Sequence, residues 1–291
     1  MVRRPESADI IVHPALIHPA RDRQEIAEQL AATHSIARAH DKILLVFVVS
    51  DREVPVVLEG CRVLVYRIGL TRRYRLPNEF PVPFLWHPAP RELPPNEQDG
   101  KPVLGFCGAF RGRPLRRRTL KLLSADHRFD CRFVLRHQFW GSELPREVAR
   151  QEYFDNIAQS HFVICDRGKG NWSVRLYEVL ASGRIPAFVD TGMDLPPARG
   201  LHPWSDAVVS APTARKLAER IWDVWASGDV VERQRRCLEL YRSSLSREGF
   251  ARTIEEQLEK ILQGDDYADR LFRPQWRSTC TGLIRRTRAK L

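Results

Sequence analysis

The chain has 291 residues, of which 43% are hydrophobic and 29% charged, and its formal net charge at pH 7 is +11. Its length suffices for two compact domains, and its apolar share excludes low-complexity disorder. The longest unbroken apolar run, Ile43–Val49, is far shorter than the ~20 residues that a membrane-spanning helix requires. The excess positive charge favours anionic partners: phosphorylated small molecules, nucleic acid or an anionic membrane.

The N-terminal part alternates short apolar runs with a helical pattern. We predict strands at 9–13, 43–49 and 61–66, and a helix at 21–40. This alternation is typical of parallel βαβ units. Prolines then crowd residues 76–102, where neither a helix interior nor a central strand is expected. We therefore place a domain boundary in this segment, after residue 95.

A second alternating series follows the proline-rich segment. The predicted strands are 103–107, 131–135, 162–165, 185–189 and 207–210. The predicted helices are 115–123, 148–160, 171–181, one that begins after Thr213, and a basic helical region at 230–262. The sequence thus predicts an α/β protein with two Rossmann-like domains, residues 1–95 and 96–262, followed by a basic tail, residues 263–291.

A glycine loop leaves the predicted strand 162–165 at its carboxyl end, where open α/β sheets bind ligands. Gly168 would let a ligand approach the backbone, while Arg167 and Lys169 supply positive charge. The predicted helix 171–181, with Ser173 in its first turn, favours an anion at its N-terminus. The loop is therefore a candidate phosphate site.

Arg175 and Glu178 are three residues apart on the same predicted helix and share one face. A guanidinium there can bind a diphosphate, and a carboxylate can accept hydrogen bonds from ribose hydroxyls. The alternative interpretation is an Arg–Glu surface pair beside a glycine turn.

A second turn, rich in glycine and arginine, follows the predicted strand 103–107. Gly108 loosens this turn, and Arg111 and Arg113 lie within it, so we expect them, with Arg136, to contact the same anionic ligand. The next arginines, 116–118, are expected to form a solvated basic face.

Several of these segments together resemble the C-terminal signature of exostosin-type glycosyltransferases, family 47. The matching residues are Ser160–Gly168, Arg175-x-x-Glu178, Ala181–Pro186 and Phe106–Arg118, within about residues 103–204. Asp166 stands where the family usually has proline, and Ala187 where it has valine. The α1,3-fucosyltransferases rank second, because their Glu-Asn-Ser loop and Thr-Glu-Lys helix start are missing.

The resemblance implies a GT-B fold, in which two Rossmann-like domains face a cleft. The C-terminal domain would bind a nucleoside diphosphate sugar, and residues 1–95 would offer the acceptor and the general base. Arg167 and Arg175 would hold the diphosphate, and Glu178 the sugar of the nucleoside. We expect direct displacement without a metal and no cofactor besides the donor substrate.

The general base is sought after the first two predicted strands. His13 is the first choice, and His18, Asp51 and Glu53 are the alternatives. A lone histidine at a strand end is more often a loop or cap residue. No carboxylate cluster suggests a metal site.

The expected acceptor is a glycan or a lipid-linked molecule. From Arg270 onward the tail has seven Lys/Arg and no Asp/Glu, so it could contact an anionic membrane or remain solvated. Six widely spaced cysteines and no export signal predict a cytoplasmic protein, with peripheral contact at the inner membrane face. We expect no specific nucleic-acid binding. The rival functions are a basic nucleic-acid-binding module and a non-catalytic partner in glycan assembly.

Overall fold

The computed structural model describes residues 4–18, 22–85, 90–138, 144–200, 203–264 and 266–272. It divides into two compact units. Unit 1 takes its residues from Met1–Pro83, Gly192–Pro196 and Ala251–Leu291, and unit 2 from Phe84–Thr191 and Pro197–Phe250. Each unit has a parallel sheet with helices, which confirms the predicted α/β class.

Unit 1 is built on a four-stranded sheet of order β1-β2-β3-β4, in which every neighbouring pair is parallel. Its elements are β1 Ile10–Ile17, α1 Arg23–Ala39, β2 Ile43–Val48, β3 Val63–Arg67 and β4 Glu79–Pro81. Helix α1 begins after Asp22, whose side chain accepts a hydrogen bond from the Glu25 N–H and so caps the first turn. Apart from a short turn at Arg72–Tyr74, α1 is the only helix between these strands within the described ranges. Among the described residues, unit 1 therefore holds a single βαβ crossover.

Strand β1 is longer than the sequence predicts. It continues past His13 to Ile17, and its register against β2 shifts between Val12 and Leu16. The strand accommodates Pro14 because it lies at the edge of the sheet, where a missing N–H breaks no central ladder. His13 therefore lies inside a strand, and the prediction that it follows the strand end is wrong.

The carboxyl end of the unit 1 sheet contains a buried ion pair between Arg67 and Glu79, with an N–O distance of 3.0 Å. Both side chains are fully buried. The Arg67 guanidinium also donates to the carbonyls of Arg52 at 2.8 Å and Val54 at 2.7 Å, and Glu79 accepts from the Leu76 N–H at 2.9 Å. One guanidinium thus fixes the segment after β2 and strand β4 at the end of β3.

We expect Glu79→Gln to lower the free energy of unfolding by about 3–5 kcal/mol, because it leaves the buried Arg67 charge unpaired. Chemical denaturation measures the change. The double variant Arg67→Met/Glu79→Leu should cost clearly less than the sum of its two single changes. Additive costs would contradict this account of the pair.

Unit 2 is built on a five-stranded parallel sheet of order β6-β5-β7-β8-β9. Its strands are β5 Val103–Ala109, β6 Asp130–Arg136, β7 Phe162–Ile164, β8 Ile185–Val189 and β9 Val209–Ala211. Its helices are α2 Pro114–Ser124, α3 Arg146–Ala158, α4 Val174–Ala181, α5 Trp204–Ala207, α6 Ala214–Ala226 and α7 Val230–Leu240. Strands β7 and β8 are buried along their whole length, as expected for a sheet covered on both faces.

The strand order makes unit 2 a doubly wound sheet. From β5 the chain crosses to β6 on one side through α2, and then returns to β7 on the other side through α3. The winding direction reverses between β5 and β7. In such sheets a crevice forms outside the carboxyl ends of the two strands at the reversal, and ligands bind there. Both predicted glycine turns follow these two strands.

Unit 2 begins at Phe84, so the division between the units lies before the predicted boundary after residue 95. Pro94 is held in unit 2 through its carbonyl, which accepts from Arg184 Nη1 at 3.0 Å. On the other side of the predicted boundary, Asn96 Nδ2 donates to the carbonyls of Ala158 and Ser160. Beyond a π-helical turn at Tyr241–Leu245, helix α8 spans Arg247–Leu262, and its residues from Ala251 onward count with unit 1.

The predicted tail lies mostly outside the described residues. Only helix α9, Asp266–Phe272, and the two residues 263 and 264 are described from it. Across the part of the chain that the structure describes, no helix combines the length and apolar character needed to cross a bilayer.

His161 lies at the amino end of the unit 2 sheet, opposite the crevice. Its Nδ1 accepts from the Val103 N–H at 3.0 Å, so its Nε2–H donates to the Glu97 carbonyl at 2.9 Å. The contact at Nδ1 requires the neutral ring, because a protonated ring has no acceptor. Burial lowers the pKa of His161 below its ordinary value of 6.5.

The lowered pKa predicts a loss of stability in acid. The unfolded state takes up a proton at His161 as the pH falls below 6.5, while the folded state resists it, so the stability contributed by the neutral ring is present above 6.5 and lost below. We expect wild type to exceed His161→Gln in free energy of unfolding at pH 8, and the difference to shrink toward pH 5. A constant difference across this range would contradict the assignment.

Candidate functional site

Arg116 spans the crevice between the ends of β5 and β7. Its guanidinium donates to the carbonyls of Ala109 at 2.7 Å, Asp166 at 2.9 Å and Arg167 at 3.2 Å. The residue is buried, and burial, with the charge of Arg175, lowers its pKa to about 10. The prediction of a solvated face over 116–118 is therefore wrong for Arg116, although Arg117 and Arg118 are exposed.

Arg175, on α4, makes the second bridge between the same two strands. Its guanidinium donates to the carbonyls of Cys107 in β5 at 2.7 Å and Ile164 in β7 at 3.3 Å. The group lies 4.3 Å from the centre of the Phe106 ring, and the residue is only 7% exposed. Arg175 is thus held by the ends of the sheet.

Gly108 provides the space for this guanidinium. It has a φ of 149°, and a Cβ at this position would lie 2.7 Å from Arg175 Nη2. Its role is therefore to admit the Arg175 side chain rather than to loosen the turn. Gly112, in the turn itself, has a φ of 66° and open space around a Cβ.

Asp166 is a buried carboxylate beside the two arginines. Its Oδ1 accepts from the Val189 N–H at 2.8 Å. Burial raises its pKa above the ordinary value, and the charges of Arg116 and Arg175 oppose this effect. Glu178 acts on the same buried surroundings as Asp166 and the two arginines, so two carboxylates face the two guanidinium groups at the base of the crevice.

Four cationic side chains of the predicted site lie at the surface of the two turns. Arg111, Arg167 and Lys169 are exposed, and Arg113 is partly exposed. Arg113 donates to the carbonyl of its neighbour Gly112 at 3.0 Å. Within the described part of the chain, none of the four makes an ion pair with a carboxylate. They remain able to bind an anionic ligand.

The loop before α4 is closed by its own backbone. The N–H of Gly168 donates to the Trp172 carbonyl at 2.9 Å, so α4 begins at Val174, three residues later than predicted. Ser173 is its N-cap and is buried, but its side chain makes no capping hydrogen bond. A Cβ at Gly168 would fit at ordinary contact distance, and the backbone there does not demand glycine.

Glu178 is paired with Tyr153 of α3 and not with Arg175. The Tyr153 hydroxyl donates to Glu178 Oε2 at 2.5 Å. Burial, and then the neighbouring carboxylate, raise the pKa of Tyr153 well above 10, so the hydroxyl keeps its proton. The structure therefore excludes the alternative of an Arg175–Glu178 surface pair.

The other predicted residues have protein partners. Arg136, at the end of β6, forms an ion pair with Glu152 and donates to the Ala149 carbonyl at 2.9 Å. His13 Nδ1 lies 2.9 Å from the Thr33 hydroxyl, and burial lowers its pKa below 6.5.

The alternatives to His13 are placed differently. Glu53 accepts from the hydroxyl of Thr71 at 2.7 Å and from its N–H at 3.2 Å, while His18 and Asp51 are exposed. The described ranges contain no cluster of three His, Cys, Asp or Glu side chains that could hold a metal ion.

Sequence reasoning missed Arg116 and Tyr153 as parts of this site. In both cases the helical spacing relative to buried residues could have predicted that the side chain faces the protein interior. Arg116 is in register with the buried residues Thr119, Leu120 and Leu123 of α2. Tyr153 follows the buried Ala149 of α3 by four residues. A polar residue in a buried helical stripe indicates a contact with the core.

Comparison with known proteins yields no family. No protein-family model matches the chain, and no curated protein matches it. Among solved structures, the crystal structure of TarM is similar, with 12% sequence identity and a TM-score of 0.41 over 81% of this chain. The chain spans 58% of the TarM chain. A similarity of this size carries no functional conclusion, and the resemblance to family 47 stays a prediction.

The tight contact at Gly108 predicts a large effect of a small side chain. Gly108→Ala should lower the free energy of unfolding by about 3 kcal/mol, because the new methyl group displaces the Arg175 guanidinium. Gly112→Ala, also at positive φ but in open space, should cost about 1 kcal/mol. Denaturant unfolding compares the two variants. Equal losses would show that backbone strain alone, without displacement of Arg175, explains the cost at residue 108.

Proposed function

We propose that the protein is a glycosyltransferase of the GT-B type, whose unit 2 binds a nucleoside diphosphate sugar at the crevice between β5 and β7. The observation that supports this is the set of cationic side chains on the two turns beside the crevice, Arg111, Arg113, Arg167 and Lys169, none of which pairs with a carboxylate among the described residues. A diphosphate is a common anionic ligand at the carboxyl ends of the strands in a doubly wound sheet. We further propose that it is of the exostosin type, family 47, on the basis of the sequence resemblance.

The cations have two roles in the proposed site. The surface side chains of Arg111, Arg113, Arg167 and Lys169 contact the phosphate oxygens. Arg175 donates to two backbone carbonyls and is not expected to contact the phosphates directly. Its positive charge attracts them across the base of the crevice, where charges are weakly screened. In this proposal Arg175 no longer binds the diphosphate directly, contrary to the expectation from the sequence.

Transfer proceeds by direct displacement in this proposal. An acceptor hydroxyl, on a glycan or a lipid-linked molecule, attacks the anomeric carbon; the bond from that carbon to the diphosphate oxygen breaks, and a base takes the hydroxyl proton. The guanidinium groups neutralise the leaving diphosphate, which is the role that a metal ion has in other transferases. Acceptor binding by the N-terminal domain follows from the family resemblance alone.

His13 is kept as the proposed base. Its lowered pKa leaves the ring neutral at pH 7, and its contact with Thr33 occupies Nδ1. Nε2 then remains for the proton. If His13 is the base, His13→Gln should abolish transfer and leave donor binding unchanged; His34→Gln, on α1, serves as the control. Full transfer by His13→Gln would remove this assignment.

The donor site predicts that nucleoside diphosphates bind and stabilise the protein. A ligand at 100 times its dissociation constant adds about 2.7 kcal/mol, which a thermal-shift panel of UDP, GDP, ADP and CDP detects. Arg167→Ala/Lys169→Ala should weaken the affinity at least tenfold, since a tenfold change requires only about 1.4 kcal/mol.

The control is Lys101→Ala/Lys121→Ala, which removes the same charge before β5 and in the last turn of α2, at the opposite end of the sheet. It should bind the nucleotide as wild type does. If both double variants lost affinity equally, the effect would be one of net charge. Steeply salt-dependent binding of random DNA or RNA, without nucleotide binding, would favour the nucleic-acid-binding alternative.

A further inference from the structure

We infer that Tyr153 is a positioning residue, which holds the Glu178 carboxylate so that its Oε1 receives the ribose hydroxyls of the bound nucleotide. The inference rests on the proposed function and deepens it. It assigns the choice between ribose and deoxyribose to a side chain on α3, a helix that contributes nothing to either glycine turn.

The two oxygens of Glu178 have different surroundings. Oε2 accepts from the Tyr153 hydroxyl at 2.5 Å, whereas Oε1 has no hydrogen-bond partner among the described residues. The residue as a whole is partly exposed. One oxygen is thus fixed by the protein, and the other is available to a ligand. Helix α4, to which Glu178 belongs, packs against the sheet.

Tyr153 is itself held in place. It is partly buried one turn after the buried Ala149 of α3, and its ring meets Phe154 edge-on with ring centres 5.3 Å apart. The Arg175 guanidinium lies 5.7 Å from the ring centre. The hydroxyl therefore approaches Glu178 from a fixed point, and its direction decides the rotamer of the carboxylate.

This arrangement has a chemical consequence. A glutamate without the tyrosine hydrogen bond would sample several rotamers in the partly exposed site, and each contact with ribose would have to overcome that freedom. With Oε2 fixed, Oε1 is preorganised to accept hydrogen bonds, and a hydroxyl missing from the ligand leaves a carboxylate oxygen unpaired. Such sites discriminate strongly against ligands that lack the hydroxyl.

The experiment is isothermal titration calorimetry on the full chain with each ribonucleoside diphosphate that binds and with its 2′-deoxy form. Wild type should bind the ribose form at least tenfold more tightly. Tyr153→Phe should weaken binding of the ribose form about tenfold and leave the deoxy form nearly unchanged, so that the preference falls toward one. Glu178→Ala should also remove the preference, and adding Tyr153→Phe to it should change nothing further.

The matched control is Tyr66→Phe in unit 1. It removes another buried tyrosine hydroxyl that donates to a side chain, Gln257 Oε1, at 2.8 Å. Its loss of stability should resemble that of Tyr153→Phe, while its preference for ribose should equal that of wild type. Circular dichroism and the unfolding midpoint of each variant establish that it is folded.

Several outcomes would overturn the inference. A wild type that binds both sugars equally, or a Tyr153→Phe that keeps the full preference, would show that Tyr153 has no role in ribose recognition. Equal weakening of both sugars by Tyr153→Phe would assign it a general structural role. Failure of wild type to bind any nucleoside diphosphate would instead remove the proposed function, and the inference with it.

Discussion

The central constraint in unit 2 is the burial of two guanidinium groups at the ends of parallel strands. A buried charge is costly unless its hydrogen-bonding groups are satisfied, and Arg116 and Arg175 meet this requirement with backbone carbonyls. Strand ends provide such carbonyls because the ladder of the sheet stops there. The Phe106 ring contacts both groups, with its centre 5.3 Å from the guanidinium carbon of Arg116 and 4.3 Å from that of Arg175. The separation between β5 and β7 at the crevice is thereby fixed.

The same constraint explains the neighbouring residues. Gly108 lacks a side chain because Arg175 occupies the space. Asp166 is tolerated in the interior because two positive charges stand beside it, although its burial still raises its pKa. The exposed cations of the two turns favour an anion just outside the crevice. The buried pair thus shapes the crevice, and the surface cations give it its positive charge.

The opposite end of the unit 2 sheet has a different chemistry. There Arg184 donates to the Pro94 and Ala158 carbonyls and to Asn96 Oδ1, and burial lowers its pKa to about 10. His161 joins Val103 to the same proline-rich segment. These groups are satisfied by protein partners alone. The two glycine turns with their exposed cations lie at the carboxyl end, which is the end where open α/β sheets bind ligands.

The sequence alone predicted most strands and helices of both units, because apolar runs and helical spacing are local properties. It missed β4 and α5, which are only three and four residues long, and it did not divide the region 230–262 into α7 and α8. It also located the two cationic turns, since glycine and arginine are visible by type. Predicted boundaries were wrong where a local rule has a tertiary exception. Pro14 is allowed within β1 because β1 is an edge strand, and Pro94 joins unit 2 through a hydrogen bond from the distant Arg184.

Only the tertiary structure decided which cations are buried and which are free to bind. Arg116 and Arg117 are neighbours in one basic run, yet one bridges two strands and the other is exposed. Likewise Glu178 has Tyr153, 25 residues away in sequence, as its partner, instead of the adjacent Arg175. The type and spacing of residues show which interactions a side chain is able to make. Its actual partner depends on how separate helices and strands pack, because burial and hydrogen bonding join residues that are far apart in the sequence.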